Sequence, residues 1–445
     1  PFGCNGGKEQ QAAMNSYIPF TKEMKNEYTI LVPNMLPMHF KLVIQVLKNY
    51  GYKAELLETQ GHEIVNAGLK YVHNDTCYPA ILVIGQFINA IESGMYDPHK
   101  IALVLFQTGG GCRASNYVSL LRKALKKAGY DYIPVIGFSL GGLEKHPGFS
   151  PSASMLFKML YAVVYGDLLQ NLVNQCKPYE RFRGDTDELA RVYTKKIAAQ
   201  MDTDKFFFAK TRSSFMEIVD AFSKIPMNSV PKIKVGVVGE IFVKYSPLGN
   251  NNLEKFLLSE GAEVVCPGLL DFCLYSVYTN ISDFKLYGMK KKNQIAMRLG
   301  YKFLLYLQNI LVDSIMSNDR FMPPAHFEST KRAAEKYIGT GAQMGEGWLL
   351  PAEMLELADR GVYNIVCTQP FGCLPNHIFG KGMMKPLKDK NPLLNIVAID
   401  YDAGATKVNQ ENRIKLMLTN AKRDLASIDE EFASNEVHEA VAEMS

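Results

Sequence analysis

No Cys-x-x-Cys pair occurs anywhere in the chain, so neither a ferredoxin-type cysteine run nor a zinc ribbon is present. Eight cysteines in 445 residues are far too few for a disulfide scaffold, and there is no secretory apolar core at the start. Together these absences lead us to expect a reducing, cytoplasmic setting. No run of 18 uncharged apolar residues exists; the most apolar stretch, 155–173, is interrupted by Asp167 and reads as a buried helix, not a membrane span. Basic and acidic residues nearly cancel, 49 against 45, and the net charge of +4 makes no global case for nucleic acid or membrane binding. What remains is an ordinary globular composition, 47% apolar and 21% charged, long enough for two or three domains. The first residue is Pro1, as expected of a fragment, and Pro1-Phe-Gly-Cys4 repeats the letters of Pro370-Phe-Gly-Cys373, which reads as coincidence.

Hydrophobic periodicity alternates between the two periods along most of the length. After a polar lead-in over 1–26, strand-like runs at 28–32, near 55, at 101–106 and at 133–138 are separated by helical patterns at 38–50, 63–72, 80–93 and 116–128. A mostly helical stretch, 152–222, follows, and 224–231 with its two prolines reads as a linker. The alternation then resumes: strands at 234–239, 262–265, 363–366 and 395–399, with helices at 252–260, 295–317, 349–359, 376–387 and 410–425. Alternation of this kind predicts an α/β protein of two doubly wound, flavodoxin- or Rossmann-like parallel-sheet domains with a helical insertion. The domains are placed at 27–225 and 226–426, before an acidic tail, 427–445, read as a frayed or disordered end.

Cysteines recur in glycine or proline settings between these segments. Cys367-Thr-Gln-Pro-Phe-Gly-Cys373-Leu-Pro-Asn-His377 follows a strand, and Pro375 fits the first turn of the next helix. Cys373 would then lie by the helix's positive end and be biased toward thiolate. Asp75-Thr-Cys77-Tyr-Pro79 repeats that grammar. Gln107-Thr-Gly-Gly-Gly-Cys112 sits on the end of a strand, where Gly109, Gly110 and Gly111 let backbone N–H groups approach a ligand closely. At the carboxyl ends of parallel strands these residues would border a ligand crevice. Each cysteine alone has an ordinary alternative as core packing, and Cys266 and Cys273, in apolar surroundings, read that way.

Two motifs are set aside. Asp402-Ala-Gly-Ala-Thr406 has the letters of an actin-like ATPase phosphate loop but lacks the strand such a loop needs after it, and reads as a strand-to-helix turn. Lys290-Lys-Lys-Asn293 reads as solvated surface, a coenzyme A phosphate being its functional alternative. Gly236 and Gly239 do not complete a dinucleotide fingerprint.

Asn74-Asp-Thr-Cys-Tyr-Pro79, Gln107-Thr-Gly-Gly-Gly-Cys-Arg-Ala-Ser-Asn-Tyr117, Val238-Gly-Glu-Ile241, Gly345-Glu-Gly-Trp348, Cys367 to His377 and Val397-Ala-Ile-Asp-Tyr-Asp402 together resemble the C-terminal region of acyl-CoA dehydratase activase-related proteins. The resemblance covers nearly all of 20–425. That family is similar to 2-hydroxyacyl-CoA dehydratase components and double-cubane cluster proteins. It implies a [4Fe-4S] cluster or a double-cubane [8Fe-9S] cluster on Cys77, Cys112 and Cys373, with Cys367 as a fourth candidate. It also implies anaerobic redox chemistry, an actin-like ATPase activase as partner, an acyl-CoA substrate and a dimer. The ATPase portion that usually lies upstream in such proteins is not in this sequence, and no residue identifies an acyl-CoA pocket. Whether the chain is itself an enzyme is therefore left open. A cluster-bearing scaffold or electron relay and a metal-free α/β module stand as the alternatives.

Overall fold

The computed structural model describes residues 17–107, 111–139, 144–203, 207–289 and 291–423. Gly109, Gly110, Cys4, Lys290 and the expected tail lie outside them. The first half runs α1 (Lys22–Glu27), β1 (Thr29–Pro33), α2 (Pro37–Asn49), β2 (Lys53–Leu57), α3 (His62–Tyr71), α4 (Tyr78–Glu92), β3 (Ile101–Gln107), α5 (Tyr117–Ala128) and β4 (Val135–Ser139). Three helices follow: α6 (Ala153–Cys176), α7 (Asp185–Thr203) and α8 (Thr211–Ser223). The second half contains β5 (Ile233–Gly239), α9 (Ile241–Tyr245), α10 (Leu253–Ser259), β6 (Ala262–Val265), α11 (Leu269–Tyr287), α12 (Gln294–Met316), α13 (Phe327–Glu335) and α14 (Leu349–Asp359). It ends with β7 (Asn364–Pro370), α15 (Met384–Lys390), β8 (Asn395–Tyr401) and α16, residues 407–423.

The strands form two four-stranded, all-parallel sheets, β2-β1-β3-β4 and β6-β5-β7-β8, each flanked by helices. The chain is thus α/β with two doubly wound parallel sheets. Continuous apolar strands such as Ile101-Ala-Leu-Val-Leu are what a sheet covered on both faces requires. In both sheets the order reverses between the first and third strands, and the crevice outside the strands' carboxyl ends at that point is where ligands bind in open α/β sheets. No helix among the described residues is long and apolar enough to cross a membrane.

The cores do not respect a boundary at 225/226. One apolar cluster joins one face of the first sheet and α6 to α8 with α11 and α12 from the second half; another joins the opposite face of the first sheet with β5 and α16. A buried polar clamp explains part of the union. The Asp167 carboxylate, on α6, accepts the N–H groups of Leu269 and Leu270 at 2.8 Å each, capping α11, while His39 of α2 meets it at 2.8 Å. The expected linker is also pinned, with Arg181 N–H donating to the Pro226 carbonyl and Asn228 N–H to that of Tyr179.

Two sequence expectations change. Strand β7 runs to Pro370, beyond the predicted end at 366, so Cys367 lies inside it, paired with Val238 and Ala398. The single helix expected at 376–387 is a π-helical turn, Asn376–Lys381, and a separate α15. Gly382 N–H reaches back five residues to the His377 carbonyl at 3.0 Å, which widens the turn. Lys291 and Lys292 are exposed on a short turn, as a solvated face would be.

Helices α3 and α4 approach through glycines. A Cβ on Gly85 would stand 2.1 Å from the Ile64 carbonyl oxygen, and one on Gly68 would stand 2.2 Å from that of Ile81. Gly85→Ala is therefore expected to lower stability by about 1–3 kcal/mol through overpacking. Urea denaturation followed by circular dichroism checks this; an unchanged midpoint would show that the two helices part without cost.

Candidate metal centre

Three loops at the sheet edges carry the thiols. Cys77 caps α4, which opens with Tyr78 and Pro79; proline belongs there because its missing N–H is one the first turn leaves unpaired anyway. Cys112 ends the loop after β3 and precedes a 3₁₀ turn, Arg113–Asn116. Cys373 lies just beyond β7. The loops of Cys77 and Cys373 are joined across the halves by the Tyr78 N–H, which donates to the Phe371 carbonyl at 3.1 Å.

Glycine permits the closest part of that contact. Gly372 has φ +74°, and a Cβ there would come within 3.1 Å of Cys77 Cα and 3.3 Å of its N. Gly345 (φ +57°) brings the third loop in: its missing Cβ would meet Pro375 Cγ at 2.9 Å and Cys112 Sγ at 3.9 Å. Cys112 is thereby placed against the loop that carries Cys373. Gly111 approaches Met344, whose Sδ would be 2.7 Å from an added Cβ.

Each of the three sulfurs has a hydrogen-bond partner. The Tyr117 hydroxyl lies 2.9 Å from Cys77 Sγ, the Ala114 N–H donates to Cys112 Sγ at 3.5 Å, and the Asn376 amide donates to Cys373 Sγ at 3.4 Å. Other cysteines are treated differently. Cys176 Sγ donates to the Phe222 carbonyl at 3.8 Å, and the buried Cys367 sulfur makes no hydrogen bond among the described residues. Cys367 belongs to the separate apolar cluster between the second sheet, α14 and α15. Thus Cys77, Cys112 and Cys373 are brought together, while Cys367 lies beside Asn376, the side chain that reaches Cys373: a Cβ on Gly380 would stand 3.3 Å from Cys367 Sγ and 3.4 Å from Asn376 Oδ1. Cys266 borders the apolar core and Cys273 packs against it, in keeping with a packing role.

Two acids share the neighbourhood, and sequence reasoning assigned neither a role. Glu240 follows β5 at the switch point and accepts the Val243 N–H at 2.9 Å; Glu346 accepts the Ile241 N–H at 2.9 Å. Burial, and then the charge of Glu346, pushes the Glu240 carboxyl up to about 8, and burial raises Glu346 as well. Both lay inside motifs read from the sequence, so the available signal was an acid directly after a buried strand and another between two glycines. Nearby, Lys244 is committed to a buried ion pair with Glu353 at 2.8 Å.

The thiols are pushed up too. Burial takes Cys77 to about 11 despite the Tyr117 hydrogen bond, and burial, then Glu346 and Glu240, raises Cys373. The expected thiolate bias at Cys373 is therefore corrected: loss of solvent outweighs the helix end, which here is a short turn leading into a π-helix. A metal that binds must displace these protons, so uptake is favoured by rising pH.

The donor set suits an iron–sulfur group. Among the described residues no three His, Cys, Asp or Glu side chains surround a common metal-ion position. A cluster asks for something else, since each thiolate holds its own iron, and it is stabilised by hydrogen bonds to sulfur such as these three. The Asp402 to Thr406 segment is a strand-to-helix turn, with Gly404 N–H on Asp402 Oδ1 at 2.5 Å, beside a cleft of roughly 530 Å³ that includes His62, Tyr78 and Lys407. No known protein-family model matches the chain, and no curated protein matches it.

The Glu240 shift has a definite sign. Its folded value lies above the ordinary carboxyl range, so the metal-free chain is free of this penalty below about 4.5 and loses stability progressively as pH rises toward about 8. Glu240→Gln should flatten that decline. Chemical denaturation at pH 5, 6, 7 and 8 measures it, and parallel slopes in the two proteins would contradict the assignment.

Proposed function

We propose that this chain is the iron–sulfur component of an ATP-dependent low-potential reductase or 2-hydroxyacyl-CoA dehydratase-type system. In this reading Cys77, Cys112 and Cys373 hold a [4Fe-4S] or double-cubane [8Fe-9S] cluster. The observation that carries it is the meeting of three loop cysteines from both halves, each sulfur with a hydrogen-bond partner beside it. The motif resemblance supports the same three residues. When bound, such a group takes up and passes on single electrons at low potential.

The chain's own residues do the rest. Tyr117, the Ala114 N–H and Asn376 orient the sulfurs, while burial of Cys77 and Cys373 keeps water from them. Three cysteines form the set, with Cys367, inside β7 and beside Asn376, as the candidate fourth. Exposed Phe371, Leu374, Ile378 and Met344 border the Cys373 and Gly345 loops, an apolar rim suited to a protein electron donor such as an actin-like ATPase activase. An electron relay that serves a separate enzyme is the second reading; substrate turnover by the reduced chain separates the two.

Anaerobic purification with iron, sulfide and EPR analysis is the test. Cys77→Ala, Cys112→Ala and Cys373→Ala should each strip most of the iron and leave a folded chain, whereas Cys273→Ala should retain it, and the iron content of Cys367→Ala decides whether the set has three thiolates or four. Full iron in any of the first three removes that residue from the ligand set.

The partner expectation has its own measurement. ATP alone should neither bind nor change the redox state, while the activase with ATP and reductant should reduce the chain. Calorimetric ATP binding abolished by Asp402→Ala would make the Asp402 turn a nucleotide site and overturn this.

A further inference from the structure

We propose that Tyr117 is a positioning residue of the centre: its hydroxyl donates to the Cys77 sulfur and, with the Asn376 amide on Cys373, raises the reduction potential of the group those thiolates hold. The inference rests on the proposed function and adds what sets its potential. Tyr117 is the first residue of α5 and is buried, and its hydroxyl meets Cys77 Sγ at 2.9 Å. The direction of that bond follows from satisfaction. A phenol that accepted from the thiol would keep a buried O–H without an acceptor, at a cost comparable to a lost hydrogen bond. Donation to sulfur leaves nothing unpaired once the thiolate forms.

Asn376 repeats the arrangement in the second half. It is fully buried, its amide N–H₂ points at Cys373 Sγ at 3.4 Å, and a Cβ on Gly380 would stand 3.4 Å from its Oδ1. Both donors draw negative charge from the sulfurs, which favours the more negative, reduced state of a bound cluster. The Ala114 N–H does the same for Cys112, but only the two side chains can be removed by substitution.

The test compares the full chain, Tyr117→Phe and Asn376→Asp after anaerobic reconstitution with iron and sulfide, by potentiometric titration followed by EPR. Tyr117→Phe conserves the ring and its packing, so iron content should hold while the redox equilibrium shifts about tenfold toward the oxidised state, ~59 mV for one electron. Asn376→Asp exchanges donor for acceptor and should shift the same way, and further. A potential is a readout that simple space-filling by the ring would leave in place. Iron-loaded Tyr117→Phe with the wild-type potential overturns the proposal while leaving the three-cysteine centre standing. Should Tyr117→Phe lose its iron, Asn376→Asp decides, and an unshifted potential there overturns it equally. Wild-type protein that takes up no iron would remove the centre itself, and this proposal with it.

Discussion

The centre depends on one contact between backbones. Tyr78 N–H bonds to the Phe371 carbonyl, and Gly372 lies against Cys77 with no room for a side chain between them. Everything else adjusts to that seam. Phe371 is itself fixed to the second sheet, since its N–H donates to the Tyr401 carbonyl at the end of β8 at 2.8 Å. The Cys77 loop is held from the other side by the close-packed α3 and α4. Main-chain hydrogen bonds and glycine contacts have little play, so the relative position of Cys77 and Cys373 is set by rigid elements, as a site of defined geometry requires.

The two halves repeat one plan with different chemistry. In each sheet the third strand leads into a cysteine loop, Cys112 after β3 and Cys373 after β7. The helix that precedes that strand opens beside the centre in both halves, with Cys77 before α4 and Gly345-Glu-Gly before α14. Where the first half offers a thiol, the second offers the Glu346 carboxyl. Glu240 at the switch point of the second sheet adds another. The centre is thus lopsided, two thiols from one side facing one thiol and two acids from the other.

The periodicity of the sequence made the alternating α/β pattern legible, and glycine and proline settings picked out Cys77, Cys112 and Cys373. Where local signals compete, the reading slipped. The run 363–366 is as apolar as a strand should be, but β7 continues through Thr368, Gln369 and Pro370, polar or helix-breaking letters that pair with β8 nonetheless. That extension puts Cys367 inside the strand and not at its end. The repeated strand order, the shared cores, and the pairing of Glu240 with Glu346 across the fold come from long-range packing, which spacing along a chain does not record. Tyr117 stood within a motif yet had no assigned role, because its meaning lies in a sulfur 40 residues away.

The acids bear on whether these cysteines are packing alone. Burying carboxyl groups near one another is costly, and here desolvation is the leading cause of the raised values at both Glu240 and Glu346. Replacing such groups with apolar ones of similar volume is often neutral or stabilising, so a module built only to pack would gain by losing them. The structure keeps two acids, a buried phenol and a buried amide around three sulfurs, where apolar side chains would fill the space more cheaply. Local rules are broken in this way where a site needs charge, protons or hydrogen bonds held in place against solvent. Cys367 packs with Val238, Met354, Ile365 and Ala398 and also lies beside the buried Asn376 side chain. The polar groups thus gather where the two halves meet, beside Cys77 and Cys373.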